Sequence, residues 1–176
     1  MSGIIDTVGS KSGIIGSDVY PVGHVLGIAQ LQHQVTQGAN GGDSVATTFT
    51  TLVLNTEVFD AGNFVTLSSN QFTLLAGTYL ISAKQACYRT GAFTIRLYDI
   101  TNTAYVGLAG TNAYNPTGTD NKQLYSTLNT KFTCADTTVY ELRYYAGLAR
   151  TGNGLGTGHN QTLEVYGEVM IYKIQP

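Results

Sequence analysis

The chain has 176 residues, a formal net charge of −2 and 11% charged residues against 43% apolar ones. That length suits one domain with an appendage, and apolar content this high with so little charge argues against disorder. Basic residues are few and scattered, with only Lys11 before Lys84, which argues against nucleic acid or an anionic membrane surface as partner.

Tyr numbers 12, Gly 21, Thr is abundant and Trp is absent. Thr and Tyr suit a pleated, half-buried surface, so the composition is that of a β protein. No window approaches the ~20 apolar residues of a membrane span. The opening Met1 to Ser10 lacks the basic stretch and apolar run of a secretory leader.

In chain order, residues 1–44 read as an N-terminal anchoring arm and glycine-rich linker. Ser2-Gly3-Ile4-Ile5 recurs as Ser12-Gly13-Ile14-Ile15. Paired isoleucines lower solubility when exposed, so Ile4, Ile5, Ile14 and Ile15 read as hydrophobic plugs buried in a partner; packing back on the chain's own domain is the alternative. Val25 to Val35 has mixed spacing and fits either a strand or one or two helical turns.

Residues 45–176 follow a period of two. Strands are expected at 46–54, 63–67, 71–75, 78–88, 92–99, 104–109, 123–133, 138–146 and 162–173. Phe93, Ile95 and Leu97 alternate with Thr94, Arg96 and Tyr98, and Tyr140, Leu142 and Tyr144 with Val139, Glu141 and Arg143. Turn signals such as Ala61-Gly62-Asn63, Thr90-Gly91 and Thr101-Asn102 divide the strands. Short strands at this spacing read as an all-β sandwich or barrel. In the last strand, Leu163, Val165, Val169 and Ile171 share the inward face. Tyr166, Met170 and Tyr172 lie opposite, with Glu164 and Glu168, on a face costly to leave in water.

No catalytic constellation emerges, so the chain reads as non-enzymatic, with no cofactor and no metal. His24, His33 and His159 lack metal-ligand spacing. Glu164 and Glu168 stand four residues apart, about 13 Å along a strand, too far for the usual glycosidase pair. Asp99, Asp120 and Asp136 have the oxygen chemistry for calcium, but Asp is also an ordinary turn residue. Cys87 and Cys134 read as small buried hydrophobes, with one interstrand bridge as the alternative. The run Gly152 to Gly158 precedes a strand, so it offers no helix N-terminus to phosphate.

Phe72, Gly77, Tyr79 and Ile81, with the ending Tyr166-Gly167 to Ile171-Tyr172, resemble strands of the complement globular-head and tumour-necrosis-factor-like jelly rolls. Gly77 would allow a tight turn, and Gly167 would remove a side chain where another element comes close. A second resemblance spans residues 57–174. Gly-x-Tyr, the strand Phe93 to Asp99, a Thr-Asn turn, the strand Val139 to Tyr145, a glycine-rich loop and the ending Glu164 to Ile174 follow one another as in bacteriophage tail-fibre and head-fibre domains. Gly9 to Gly16 also looks like the start of many phage virion proteins.

These resemblances imply an all-β jelly-roll sandwich with an extended N-terminal arm. They imply a homotrimer packed through the sheet that holds the last strand, so Tyr166, Met170 and Tyr172 are expected near the subunit interface. The implied role is a bacteriophage virion protein, assembled in the host cytoplasm, that decorates or cements the capsid or forms a short head fibre. Its arm would engage other virion proteins. The alternative is a tail-associated receptor-binding protein gripping a host surface glycan or protein through loop residues Tyr114, Asn115, Asp120, Asn153 and His159, for which turn chemistry is the competing explanation.

Overall fold

A computed structural model describes residues 24–115 and 122–175, so Ile4, Ile5, Ile14, Ile15 and Asp120 lie outside the described residues. Twelve strands follow in order: β1 (Val25–Val35), β2 (Phe49–Thr51), β3 (Thr56–Ala61), β4 (Val65–Ser68), β5 (Gln71–Leu74), β6 (Gly77–Tyr88), β7 (Gly91–Asp99), β8 (Ala104–Val106), β9 (Ala113–Asn115), β10 (Gln123–Cys134), β11 (Thr138–Ala146) and β12 (Glu164–Ile174). They form a jelly-roll sandwich. One sheet runs β10-β6-β12-β1-β3; the other runs β4-β5-β11-β7-β8, with β2 added to β11 and β9 to β7.

Alternation builds the core. Tyr79 and Ile81 of β6, Ile95 and Leu97 of β7, and Val169 and Ile171 of β12 are all fully buried between the sheets. Burying each such aliphatic chain contributes about 1.5–3 kcal/mol. Phe93 stacks on Tyr144 at 5.6 Å between ring centroids, and Phe72 on Tyr140 at 5.9 Å. The buried Tyr79 hydroxyl donates to the Leu75 carbonyl at 2.7 Å, and burial first of all pushes its pKa up to about 12.

The sandwich begins inside the segment that the sequence assigns to the arm. β1 lies between β12 and β3, pairing Val25 with Ile174 and Val35 with Glu164. Its Ala29 and Leu31 are fully buried, which settles the choice between strand and helical turn. Two short strands, β3 and β9, were not expected from the sequence, and the expected strand 46–54 shrinks to β2.

A bulge reverses one expected face. His33 pairs with Gly167 but Gln34 pairs with Val165, so Tyr166 is an extra residue on β12. Such an insertion shifts the alternation by one. Val165 and Leu163, expected inward, are 38% and 53% exposed, while Tyr166 is 2% exposed. At Gly167, beside the bulge, a Cβ would meet the tip of the Gln85 side chain and push it aside.

Strand directions give the sandwich two ends. The loops 36–48, 89–90 and 147–163 gather at one, close to β9 and the start of β10, through bonds such as Tyr88 N–H to the Gly154 carbonyl at 3.0 Å and Gly147 N–H to the Ala92 carbonyl at 2.7 Å. The start of β1 and the end of β12 meet at the other. Cys87 and Cys134 are free and buried. Cys134 stands opposite Gly77, ten residues before Cys87 on β6, so the two cysteines are about 33 Å apart, beyond the reach of a disulfide.

Candidate functional site

Two surfaces hold the residues singled out by the sequence. The first is the outer face of the five-stranded sheet. Since Ala29, Leu31, Ile81, Ala83, Val169 and Ile171 point inward, their alternates point out in ordered rows. Ile28 stands beside Tyr172, which stands beside Leu80; Gln30 beside Met170 and Ser82; Gln32 beside Glu168 and Lys84. Edge strand β3 adds Phe59 next to Gln30.

At the centre of this face the charged and amide groups satisfy one another, while Lys131 of β10 stands exposed beside Leu80. Glu168 accepts hydrogen bonds from Gln30 Nε2 at 2.9 Å and Gln32 Nε2 at 3.0 Å, and pairs with Lys84 Nζ at 3.2 Å. Gln34 Nε2 donates to Gln32 Oε1 at 2.7 Å. One carboxylate thus meets one ammonium, with amides closing the network. Leu80 and Phe59 remain 40% and 42% exposed, and Ile28, Met170 and Tyr172 are half-buried. A neutral, internally satisfied polar centre among apolar side chains suits contact with another protein surface.

Tyr166 does not belong to that face. Its hydroxyl donates to the Ala39 carbonyl at 2.7 Å. Gly41 and Gly156 crowd its ring so closely that a Cβ at either would collide with it. Burial above all pushes the hydroxyl pKa up to about 12. The ring joins the loops 36–48 and 147–163 at the loop end, and the bulge is why it faces inward. Met170 and Tyr172 keep the outward orientation expected for them.

The loop end is the second surface. Glu164, buried at the start of β12, accepts from the backbone N–H groups of Asn160 at 2.8 Å, His159 at 2.9 Å and Gly38 at 3.2 Å. Chiefly through the Asn160 bond, these hold its carboxyl below the usual range. Tyr114 is 71% exposed and the His159 side chain faces solvent. Asn153 lies at the same end, but its Oδ1 accepts from Arg150 Nε at 2.6 Å. Asn115 is 2% exposed and its Nδ2 donates to the Lys122 carbonyl at 2.5 Å. Turn and strand chemistry therefore occupies Asn115 and Asn153, and removes Asn115 from any ligand surface.

The remaining candidates have local roles. Asp99 accepts from Asn102 N–H at 2.8 Å and Asn102 Nδ2 at 2.9 Å, closing the β7–β8 turn. Asp99 and Asp136 share a cleft of about 240 Å³ at the end away from the loops. His33 is buried, 5.9 Å from Tyr166 between ring centroids, and desolvation lowers its pKa. Among the described residues no group of three or more His, Cys, Asp or Glu is placed to hold a metal ion, and no helix is long and apolar enough to cross a membrane.

Sequence reasoning missed Ile28, Gln30, Phe59 and Leu80 on the sheet face. The alternation of Ile28, Gln30, Gln32 and Gln34 with Ala29, Leu31 and His33 was the signal available for Ile28 and Gln30.

No family profile matches the chain, and no curated protein matches it. Solved structures do. The globular domain of zebrafish complement 1qA protein superimposes with a TM-score of 0.56 at 15% identity, over 84% of this chain and 96% of that one. The PRD1 vertex protein P5 gives 0.53 at 15% identity, over 87% and 100%. Murine APRIL at pH 5.0 gives 0.52 at 9% identity, over 84% and 98%. The chain has the jelly-roll fold shared by complement globular heads and tumour-necrosis-factor-like proteins.

Proposed function

We propose that the chain is a homotrimeric, non-catalytic structural protein of a bacteriophage virion, held to the particle by its N-terminal arm. One observation carries the subunit contact: the outer face of the five-stranded sheet, where Ile28, Phe59, Leu80, Met170 and Tyr172 surround a polar network with no net charge. A stable interface buries about 800 Å² per partner, and here apolar side chains surround a polar centre whose one carboxylate and one ammonium are paired, leaving no buried charge unmatched on association. The likeness in fold to a phage vertex protein supports the virion setting.

The two-ended sandwich supports the division of labour. The chain enters β1 at the end where Val25 meets Ile174, opposite the loop end. Arms leaving one end of a trimer would engage the particle and leave the loops facing outward. Ile4, Ile5, Ile14 and Ile15 are the proposed anchor, inserting as plugs or as an added strand.

The test is deletion of residues 2–16, followed by a particle-binding assay with purified virions stripped of the protein. A folded trimer that no longer attaches is the expected result; normal attachment contradicts the anchor. The second reading is adhesion to a host surface through the loop end, favoured by the exposure of Tyr114 and of Leu148, which is 42% exposed. Saturable binding of the protein to host cells, abolished by Tyr114→Ala, would select it.

A further inference from the structure

The outer face of the seven-stranded sheet takes no part in the proposed subunit contact. The inward set of Tyr140, Leu142 and Tyr144 leaves Arg143 and Tyr145 of β11 pointing out, and the inward set of Ile95 and Leu97 does the same for Arg96 and Tyr98 of β7. β8 places Tyr105 opposite Tyr98, and β2 places Phe49 opposite Tyr145.

These side chains form one layer over the sheet. The Arg143 guanidinium lies 3.4 Å from the centre of the Tyr98 ring, and that of Arg96 lies 3.9 Å from the centre of Tyr105. Tyr98 meets Tyr105 edge-on at 5.1 Å, Phe49 lies 5.3 Å from Tyr105, and Tyr145 lies 5.7 Å from Phe49. All are half-buried, so the rings are held in place yet remain partly accessible.

The two guanidiniums differ in their partners. Arg143 Nε donates to Glu141 Oε1 at 2.6 Å, a closed ion pair. Arg96 has no carboxylate among the described residues. Its Nη2 reaches only the Gly107 carbonyl, at 3.4 Å, and its buried Nε has no acceptor. The layer therefore carries two guanidiniums against one carboxylate, with the uncompensated one set among aromatic rings.

That combination selects a chemistry. Guanidinium binds carboxylate through two parallel charge-assisted hydrogen bonds. Fixed aromatic rings offer apolar faces to the C–H faces of sugar rings at little entropic cost, and the tyrosine hydroxyls reach polar edges. We propose that this face binds a carboxylated saccharide, its carboxylate on Arg96 and a sugar face against Tyr105 and Phe49. Single-stranded nucleic acid also uses aromatic and arginine side chains, but it needs a run of cations along its backbone, and a chain with 9 basic and 11 acidic residues does not supply one. The proposal is independent of the subunit and virion readings, since it uses the opposite sheet.

The experiment is a calorimetric or NMR titration of the full chain with tetragalacturonate, with its fully methyl-esterified form and an eight-residue oligothymidylate as parallel probes. Saturable millimolar or tighter binding is expected, with about tenfold weaker binding both for the ester and for Arg96→Gln, a loss of about 1.4 kcal/mol. Leu163→Ala, an exposed position at the loop end, should leave the affinity unchanged. The ester comparison uses the unaltered chain, so the outcome does not depend on the variant folding. Absence of saturable tetragalacturonate binding, equal binding of the ester, or tighter binding of the oligonucleotide would each overturn the proposal.

Discussion

Replacing Tyr166 by Phe removes one oxygen from the interior of the loop end and leaves the ring. The hydroxyl lost is the donor to the Ala39 carbonyl at 2.7 Å, and the residue is 2% exposed, so water cannot readily replace it. Loss of a buried hydrogen bond with its acceptor left unpaired costs about 1–2 kcal/mol. Tyr166→Ala also empties the space against which Gly41 and Gly156 pack, at a cost of about 3–5 kcal/mol. Urea unfolding followed by circular dichroism measures both, and the chain's lack of Trp makes dichroism preferable to fluorescence. An interior role predicts that the Phe variant loses the same stability at every protein concentration and keeps its subunit association. Unchanged stability with weakened association would refute the interior placement and return Tyr166 to a subunit interface, because only interface effects scale with protomer concentration.

Three further outcomes follow from particular residues. The double substitution Leu80→Lys and Met170→Lys adds two charges to the apolar part of this face and should leave the dichroism spectrum intact while abolishing the trimer in light scattering; an unaltered trimer mass would remove this face from the contact. Burial lowers the His33 pKa, so the unfolded chain takes up the proton first as pH falls; stability should be complete above about pH 6.5 and decline below it by at most about 1.4 kcal/mol per unit, less where solvent reaches the ring. His33→Gln should flatten that slope in pH-dependent denaturant melts. Cys87 and Cys134 should be inert to a thiol reagent in the folded protein and yield two thiols after denaturation, with burial first pushing the Cys87 thiol up to about 11; a reductant should leave the melting temperature unchanged.

The legibility of the fold in the sequence depended on how each strand meets its neighbours. β7 and β11 were clear because both pack one full face on the core: Phe93 to Asp99 alternate without interruption, and Tyr140 to Ala146 do so except at Glu141, which is buried on the outer face. β1 was ambiguous because Ile28 lies on its outer face and His33 on its inner one, against the polar-out, apolar-in contrast of Gln30 and Gln32 with Ala29 and Leu31. β3 was missed as an edge strand with a register shift against β1 between Gln30 and Leu31, which leaves Val58 and Phe59 both exposed. The bulge at Tyr166 was invisible because a bulge is a property of a strand pair. A strictly period-two reading of β12 then placed Tyr166 with Met170 and Tyr172.

The candidate surfaces followed the same logic. Met170 and Tyr172 were legible because they lie beyond the bulge, in register with Val169 and Ile171. Asn115 was misjudged because its residue type marks a turn, whereas its side chain is held by the carbonyls of Lys122, just before β10, and of Cys87 on β6. The aromatic and arginine layer on the second sheet draws on β2, β7, β8 and β11. No single stretch of sequence displays it.

The central claim is that the outer face of the five-stranded sheet joins three copies of the chain. Multi-angle light scattering of the full chain at micromolar concentration tests this most directly. The account predicts a mass three times the 18.8 kDa of one chain; a stable species at the single-chain mass would contradict it.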